Sequence, residues 1–498
     1  MATTQWSGTS KFIASLPTWA TAADAQRIAA YALYEDIYWG SPDSFKLVMR
    51  GTNDAPIYIP SGRIAVEATN RFLAKDWDYV INPRVGTPDV QEMFRQMLEK
   101  LFKRELLYTK FATQKRYGLI RGDSVWHVVA DPNKAEGARI SVHEVDPAGY
   151  FPIYEEDDLD RRVGVHLVDQ VEYDKKTVIR RQTYRKLEDG TITTELALFE
   201  SAKWDDRDTT PYTSGPSSTA PTKLKLLAQL VPVTPLPPSI TSIPVYHIQN
   251  NRTPASPFGS SELRGFETLM TAVNQGVSDQ ELALALDGIG VYATTSGPPT
   301  DDDGNETNWV LGPGRVVEID SQSNFSRISG VSSLPGLEHI KFVMDTMMQG
   351  MGVPAIAAGS VDVQVAESGI ALYLQLAPLL AKNAEKEAEM LGVYDHMLYD
   401  LTHMWFPAYE SLNAEAIEVS SVVGDPMPVN RQERIDEMLK LVGAGIVSQT
   451  YVREKLGEMG YDFPEEMAGD IVTETATLAN ARVGDPFKNR LNSELEGA

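Results

Sequence analysis

The sequence predicts an α+β protein, and three observations carry that prediction. Apolar residues recur at helical spacing from residue 18 to about 118 and again beyond 335. Between 124 and 199 the period changes to two, in runs rich in β-branched residues broken by turn signals. No apolar run of about 18 residues occurs, so nothing reads as a membrane-spanning helix. The 498 residues are enough for roughly two to four domains.

Taken in order, residues 18–39 predict a helix capped by Thr18 or Thr21, with Ile28, Tyr31, Tyr34, Ile37 and Tyr38 turned inward. A second helix is expected over 61–77. Thr87 at N-cap, Pro88 at N1 and Asp89 in the first turn start a third, expected to run to Tyr117 and stop at Gly118. From Gly122, the stretches 124–130, 138–145, 162–173, 176–187 and 191–199 read as strands of one antiparallel sheet laid against these helices. Asp189-Gly190 forms a hairpin turn within it. Residues 205–241 are Ser/Thr/Pro-rich and read as a mobile surface insertion, followed by a strand over 243–250.

A long helix over 261–288, about 42 Å at 1.5 Å per residue, has Leu263, Phe266, Met270, Val273 and Val277 on its apolar face, though Gly265, Gly276 and Gly288 argue against its being straight. Residues 291–334 form a small turn-rich module, with VYATT and RVVEI as strands and a polar, exposed tip at 298–308. Next comes LPGLEHIKFVMDTMMQGMG, where Ile340, Val343, Met344, Met347, Met348 and Met351 make one apolar face and Gly350, Gly352 and Pro354 end the helix. About a dozen small residues, AIAAGSVDVQVAE, connect it to SGIALYLQLAPLLAKNAEKEAEML. There Ser368 caps, and Ile370, Leu372, Leu374, Leu376, Leu379 and Leu380 supply the buried side. This helix continues to about Trp405, a short strand follows at 417–424, and the rest is helical. Asn430 caps a helix ending at Gly443 or Gly445, Ser448 caps the next, and the tail from Pro486 is expected to be disordered.

The balance of 69 acidic against 45 basic residues, net −24, argues against static nucleic-acid binding, which needs clustered Lys and Arg to replace counterions. An acidic surface for solubility is the simplest explanation of the charge. A passage through which DNA slides would also tolerate it. With no cysteine there are no disulfides and no thiolate metal sites, which fits assembly in a reducing cytoplasm. The start, MATTQWSGTS, has neither a basic region nor an apolar core, so no secretory signal is expected.

The run GVP, a short loop, then SGIALYLQLAPLL resembles the segment of tailed-bacteriophage portal proteins in which stem helix, tunnel loop and long helix follow one another. YGLIRGDSVWHVVADP (117–132) is similar to the helix-to-strand passage into the portal wing. SSEL resembles the start of the first stem helix, and LVGAGIVSQTYVREKLG the crown. The resemblance covers most of the chain loosely and implies a portal-like α+β fold, with long stem helices, an antiparallel β wing, a small β-containing clip and a C-terminal helical crown. Its divisions would be a wing over 1–258, a stem helix over 259–290, a clip over 291–334, a second stem helix over 335–353, a tunnel loop over 354–367, a long wing helix and strand over 368–425, and a crown and tail over 426–498. It also implies a homo-oligomeric ring of about twelve copies at the portal vertex of a virion, assembled in the host cytoplasm. Double-stranded DNA would pass through without sequence specificity, driven by a separate terminase and later ejected into the tail. A head-completion or tail adaptor and the major capsid protein would be further partners. The tunnel loop would bring Val361, Asp362, Val363, Gln364 and Val365 to the DNA, and the clip would dock through Asp301, Asp302, Asp303, Asn305 and Glu306.

Catalytic chemistry finds little support. No GxxxxGK[ST] occurs, so the chain is not expected to be the packaging ATPase, and GPGR at 312–315 lacks a strand-then-helix setting. Asp301, Asp303 and Asn305 begin like a calcium loop, but Glu306 stands where Gly is needed and Gly312 where Glu is needed. His396, Asp400 and His403 share a helix face at i, i+4 and i+7, a spacing a divalent metal would accept. Met397, Leu398, Met404 and Trp405 crowd the same turns, so a packed helix is the simpler reading. Arg121-Gly122-Asp123 reads as a turn. No catalytic, metal or cofactor residues are assigned and the chain is not expected to be an enzyme. The alternatives are another virion structural or assembly subunit, and a metal-dependent enzyme using His396, Asp400 and His403.

Overall fold

The first helix, α1 (Ala22–Trp39), starts at Thr21, whose hydroxyl accepts from the Asp24 amide while the Asp24 carboxylate accepts from the Thr21 amide. The computed structural model describes residues 19–49, 56–158, 161–200, 225–254, 256–289, 291–298, 305–307, 323–328, 334–359, 369–412, 417–424 and 431–458. Ile28, Tyr31, Tyr34, Ile37 and Tyr38 are all buried, as their spacing predicts. The second helix, α2 (Ser61–Phe72), ends five residues before the expected Trp77. Trp77 instead opens strand β1 (Trp77–Ile81).

The expected single helix over 87–118 is two: α3 (Pro88–Arg104) and α4 (Leu107–Arg121). Leu106 breaks it at φ +52°, a left-handed conformation costly for a side chain with a γ-branch, and lies 62% exposed. Gly122, at φ +101°, then turns the chain from α4 into β2 (Asp123–Ala130). Arg121-Gly122-Asp123 is therefore a buried corner. Arg121 pairs with Glu35 and Asp146 at 2.6 and 2.5 Å, and Asp123 is fully enclosed.

The strands form two larger sheets, not one. β2 sits between β3 (Ile140–Val145) and β9 (Val245–Gln249). The other sheet is a meander in the order β4 (Tyr150–Tyr154), β5 (Arg162–Tyr173), β6 (Lys176–Lys186), β7 (Ile192–Glu200) and β8 (Leu226–Pro235). The hairpin turn at 189–190 is as expected: Gly190 has φ +86° and the Thr191 amide donates to Asp189 Oδ1 at 2.9 Å. β8 corrects the reading of 205–241 as loop throughout, and residues 201–224 lie outside the described residues. Three register shifts against β7 make β8 longer than its partner, and its apolar side chains Leu227, Leu230 and Val233 face solvent. Alternation of that kind is invisible to a period-two search.

The longest helices follow. α5 (Glu267–Ile289) starts later than the expected 261, because Gly265 at φ +89° holds 261–266 in turns. β10 (Val291–Thr294) pairs with β11 (Phe325–Ile328), whereas the expected strand RVVEI at 315–319 lies outside the described residues. Then come α6 (Leu334–Gly350) and α7 (Gly369–Asp400). α7 continues through a π-helical turn, Leu401–Trp405, into α8 (Phe406–Tyr409), one turn beyond the expected stop. β12 (Val419–Val423) returns to pair with β1.

Tyr394 of α7 stacks on Trp77 at 4.3 Å, with Phe111 at 5.8 Å and Trp126 at 6.0 Å from its ring. This buried aromatic cluster fixes the C-terminal half of α7 to α4, β1 and β2. Leu374 departs from expectation: it is 66% exposed, beside exposed Tyr373, while Leu376 and Leu379 are buried. Position 374 falls on the side of the helix opposite 372, 376 and 379, so it cannot share their face.

By contact, the chain divides into Met1–Pro426 and Met427–Ala498. In the second unit, α9 (Arg431–Gly443) and α10 (Gln449–Glu458) are joined through Gly445 at φ +69°. The Tyr451 amide donates to Ser448 Oγ at 3.1 Å, the expected cap. Residues 459–498 lie outside the described residues.

Candidate functional site

The site of interest is the helix pair α5·α6 and the segment by which α6 leaves it. Glycines stand where side chains of one member of the pair pack onto the other. A Cβ at Gly276 would come within 2.9 Å of Ile340, and one at Gly336 within 2.3 Å of Gln280 Oε1. At Gly350 it would meet the Phe266 ring at 2.9 Å. Gly276, one of the glycines that argued against a straight helix in sequence, is thus where the Ile340 side chain seats. On the inner side, Met270, Val273, Met347 and Met348 are buried. Asn274, fully buried, accepts the Ile59 amide at 2.8 Å, so the strip ahead of α2 is stitched along α5. Elsewhere on the pair Leu284, Leu337 and Phe342 are 47%, 49% and 66% exposed.

The end of α6 is anchored before the connector begins. Gly352 at φ +69° donates its amide to Gln349 O at 2.9 Å, and Val353 donates to Met348 O at 2.9 Å, closing the helix with a glycine C-terminal motif. Val353 and Ala357 are buried, and the Ala357 amide donates to Pro354 O at 2.9 Å. The expected projecting loop over 354–367 therefore opens with a turn packed into its own subunit, because apolar side chains at 353 and 357 find cover there. The Ala358 and Gly359 amides continue the turn, donating to Pro354 O at 3.3 Å and Ile356 O at 3.2 Å. Val361, Asp362, Val363, Gln364 and Val365 lie outside the described residues. So do Asp301, Asp302 and Asp303 of the other expected site, while Asn305 and Glu306 are exposed.

Beneath the connector lies an open cleft of about 720 Å³, lined among others by Thr253, Glu262, Arg264, Gln349, Met351 and Lys382. Its floor is Glu262, with a side chain only 3% exposed. Lys382 pairs with one carboxylate oxygen. On the other, Lys386 sits at 2.5 Å and the amides of Asn250 and Asn251 donate at 3.0 and 2.9 Å. Burial alone would raise the Glu262 pKa, but the two lysines pull it down to about 2. Lys382 also donates to Met351 O at 2.8 Å, at the end of α6. No sequence motif marks this cluster, since its members come from β9's end, the turns before α5, and α7.

A second polar centre holds the corner where α1, β2 and β9 meet the turn at Gly259. Asp123 takes the Tyr31 hydroxyl on one oxygen. The other accepts from the Gly259 amide at 2.8 Å and lies 2.7 Å from His247 Nε2. Burial opposes the charge on Asp123, and these partners lower its pKa. Gly259 has no room for a side chain: a Cβ would sit 2.1 Å from Gly122 O and 2.5 Å from Asn250 O.

The His396, Asp400, His403 spacing does not gather ligands. Asp400 is buried and accepts hydroxyls from Ser242 and, at 2.8 Å, Tyr246, while His396 Nε2 stands 3.6 Å away. His403 stacks on Tyr399 at 4.2 Å and bonds within its own helix. Among the described residues no group of three or more His, Cys, Asp or Glu could hold a metal ion. None of their helices is long and apolar enough to cross a membrane.

No protein-family model matches the chain, and no curated protein matches it. Among solved structures, one similar chain belongs to the virion of a native gene transfer agent (GTA) particle, with 13% identity and a TM-score of 0.43, covering 86% of this chain and 93% of that one. Chains in the neck of the empty GTA particle computed with C6 symmetry and of the native particle computed with C12 symmetry have 13% and 14% identity. Both have TM-scores of 0.42 and cover 80% of this chain and 90% of theirs. Likeness of this degree carries no argument about function.

Proposed function

We propose that the chain is a portal subunit: copies close into a ring at one vertex of a phage-type virion, and DNA passes along its axis. The observation that carries this reading is α5·α6, a glycine-packed helix pair with apolar side chains Leu284, Leu337 and Phe342 exposed, ending in a segment anchored at 353–357. Copies related by rotation would cover these side chains and bring every connector toward one axis. The element order and the segments similar to portals support it.

The charge of the pair suits passage rather than capture. α5 carries Glu267, Asp279, Glu281 and Asp287 and no lysine or arginine, and α6 carries Glu338 and Asp345 against Lys341. A wall of that sign offers phosphates no replacement for their counterions, so a duplex would slide without lodging. Contact with DNA would fall to the connector, at Val361, Asp362, Val363, Gln364 and Val365. In the same reading, residues 291–334, with Asp301, Asp302, Asp303, Asn305 and Glu306 at the tip, face the terminase and later the adaptor. The two wing sheets lie against the capsid protein.

Electron microscopy of the purified chain with solution mass tests the assembly. The expected result is a closed ring of about twelve chains with an axial opening, and a stable monomer or dimer without one would overturn the reading. Deleting 358–365 should leave rings intact and abolish DNA packaging or retention. If rings were lost instead, the connector would belong to the subunit interface.

A further inference from the structure

We infer that Glu262, Lys382 and Lys386 form a two-armed anchor in which Lys382 positions the connector and Lys386 positions the wing corner, each through the same buried carboxylate. The base of the anchor is fixed by main-chain bonds. The Glu262 amide donates to Leu119 O at 3.0 Å, the Asn250 amide to Gly122 O at 2.7 Å, and the Ser260 amide to Asn250 O at 2.7 Å. Glu262 is thereby tied to the end of α4, and it presents one oxygen to each lysine.

The lysines stand one turn apart on α7 and divide the work. Lys382 takes Met351 O, a carbonyl at the close of α6 that the helix itself cannot satisfy, and its methylene stem lies 3.4 Å from where a Cβ on Gly352 would be. Lys386 takes Asn250 Oδ1 at 2.8 Å and Asn251 Oδ1 at 2.5 Å, at the end of β9. Asn251 is held there at φ +49°, a conformation asparagine tolerates better than most residues. Loss of either arm should therefore release one segment and leave the other in place. The anchor stands on this geometry alone; only the purpose of the segment it holds rests on the portal reading.

Hydrogen exchange by mass spectrometry on the full chain tests it. Lys382→Met should raise exchange of the amides at 351–359 about tenfold, the effect of losing one charged hydrogen bond, with 245–251 unchanged. Lys386→Met should do the reverse, and Glu262→Gln should raise both. Lys382→Arg, which can still reach Met351 O and Glu262, should restore the wild-type pattern at 351–359. If Lys382→Met raises exchange at both segments equally, or at neither, the two-armed anchor is wrong. Solution mass on the same samples separates the two ideas: absent rings with the split pattern intact would sink the portal reading alone, and rings without the split pattern would sink the anchor alone.

Discussion

The corner at Gly122 and Gly259 and the α5·α6 pair are both closed by glycines, yet they solve opposite problems. At the corner, Gly122 and Gly259 let backbones touch so that Asp123, Arg121 and Glu262 can be buried with every charge matched by a partner from the same chain. In the helix pair, Gly276, Gly336 and Gly350 bring two helices together but Leu284, Leu337 and Phe342 stay exposed. The corner is finished within one chain. The helix pair is not, and in the proposed ring neighbouring copies would cover its exposed side chains.

The sharpest way to break this contrast is at the corner itself. Gly259→Val puts carbons where Gly122 O and Asn250 O already lie, and we expect a loss of about 4 kcal/mol or more, read as loss of soluble folded protein or by urea unfolding. Acid is the next largest effect, and it is specific to the two larger sheets, with His127 in β2 and His166 in β5. Burial, with nearby cationic groups, lowers the His127 pKa to about 3 and the His166 pKa to about 4. The unfolded chain therefore takes up these protons first. Each histidine's contribution to stability is present above pH 6.5 and is lost as the pH falls toward those values. From pH 6.5 to 5 the loss is about 2 kcal/mol per histidine. Urea midpoints at the two pH values measure it, and His127→Gln, which keeps a bond to Tyr184 available, should shrink the difference.

On the helix pair, Gly276→Leu should cost about 2 kcal/mol by pushing Ile340 away, with hydrogen exchange rising in α5 and α6 but not in β2 or β9. The smallest effect on the fold is the most telling for assembly. Phe342→Asp should change chain stability by less than about 0.5 kcal/mol, since the ring is largely exposed, while lowering the solution mass from that of a ring to that of smaller species. An unchanged mass would mean that this face is not where copies meet.

Much of the helical frame could be read from local pattern. The aromatic stripe of α1, the Thr87-Pro88 start of α3, the Asp189-Gly190 turn and the Ser448 cap depend on residues within a turn or two of one another. What escaped depends on partners far away in the chain. β1 is a strand because β12, more than 300 residues later, pairs with it, and Glu262 is a hub because Lys382 and Lys386 arrive from α7. β8 escaped for a different reason, its prolines and shifted register breaking the alternation that marks a strand. Leu106 carries no local signal for the left-handed break it makes. At His396, Asp400 and His403 the packed-helix reading fits the structure, although the partners that hold Asp400, Ser242 and Tyr246, come from a distant loop and strand and carry no local signal.

The outermost strand β8 has a last consequence. An open sheet margin invites identical margins to zip onto it, a hazard that grows when many copies are held side by side. Pro232 and Pro235 remove two donors from that margin, and the surplus residues Leu227 and Leu230 kink it out of line. Such a margin can meet neighbours through its side chains but makes a poor template for fibrous growth, so a chain that gathers in numbers can stop at a closed count.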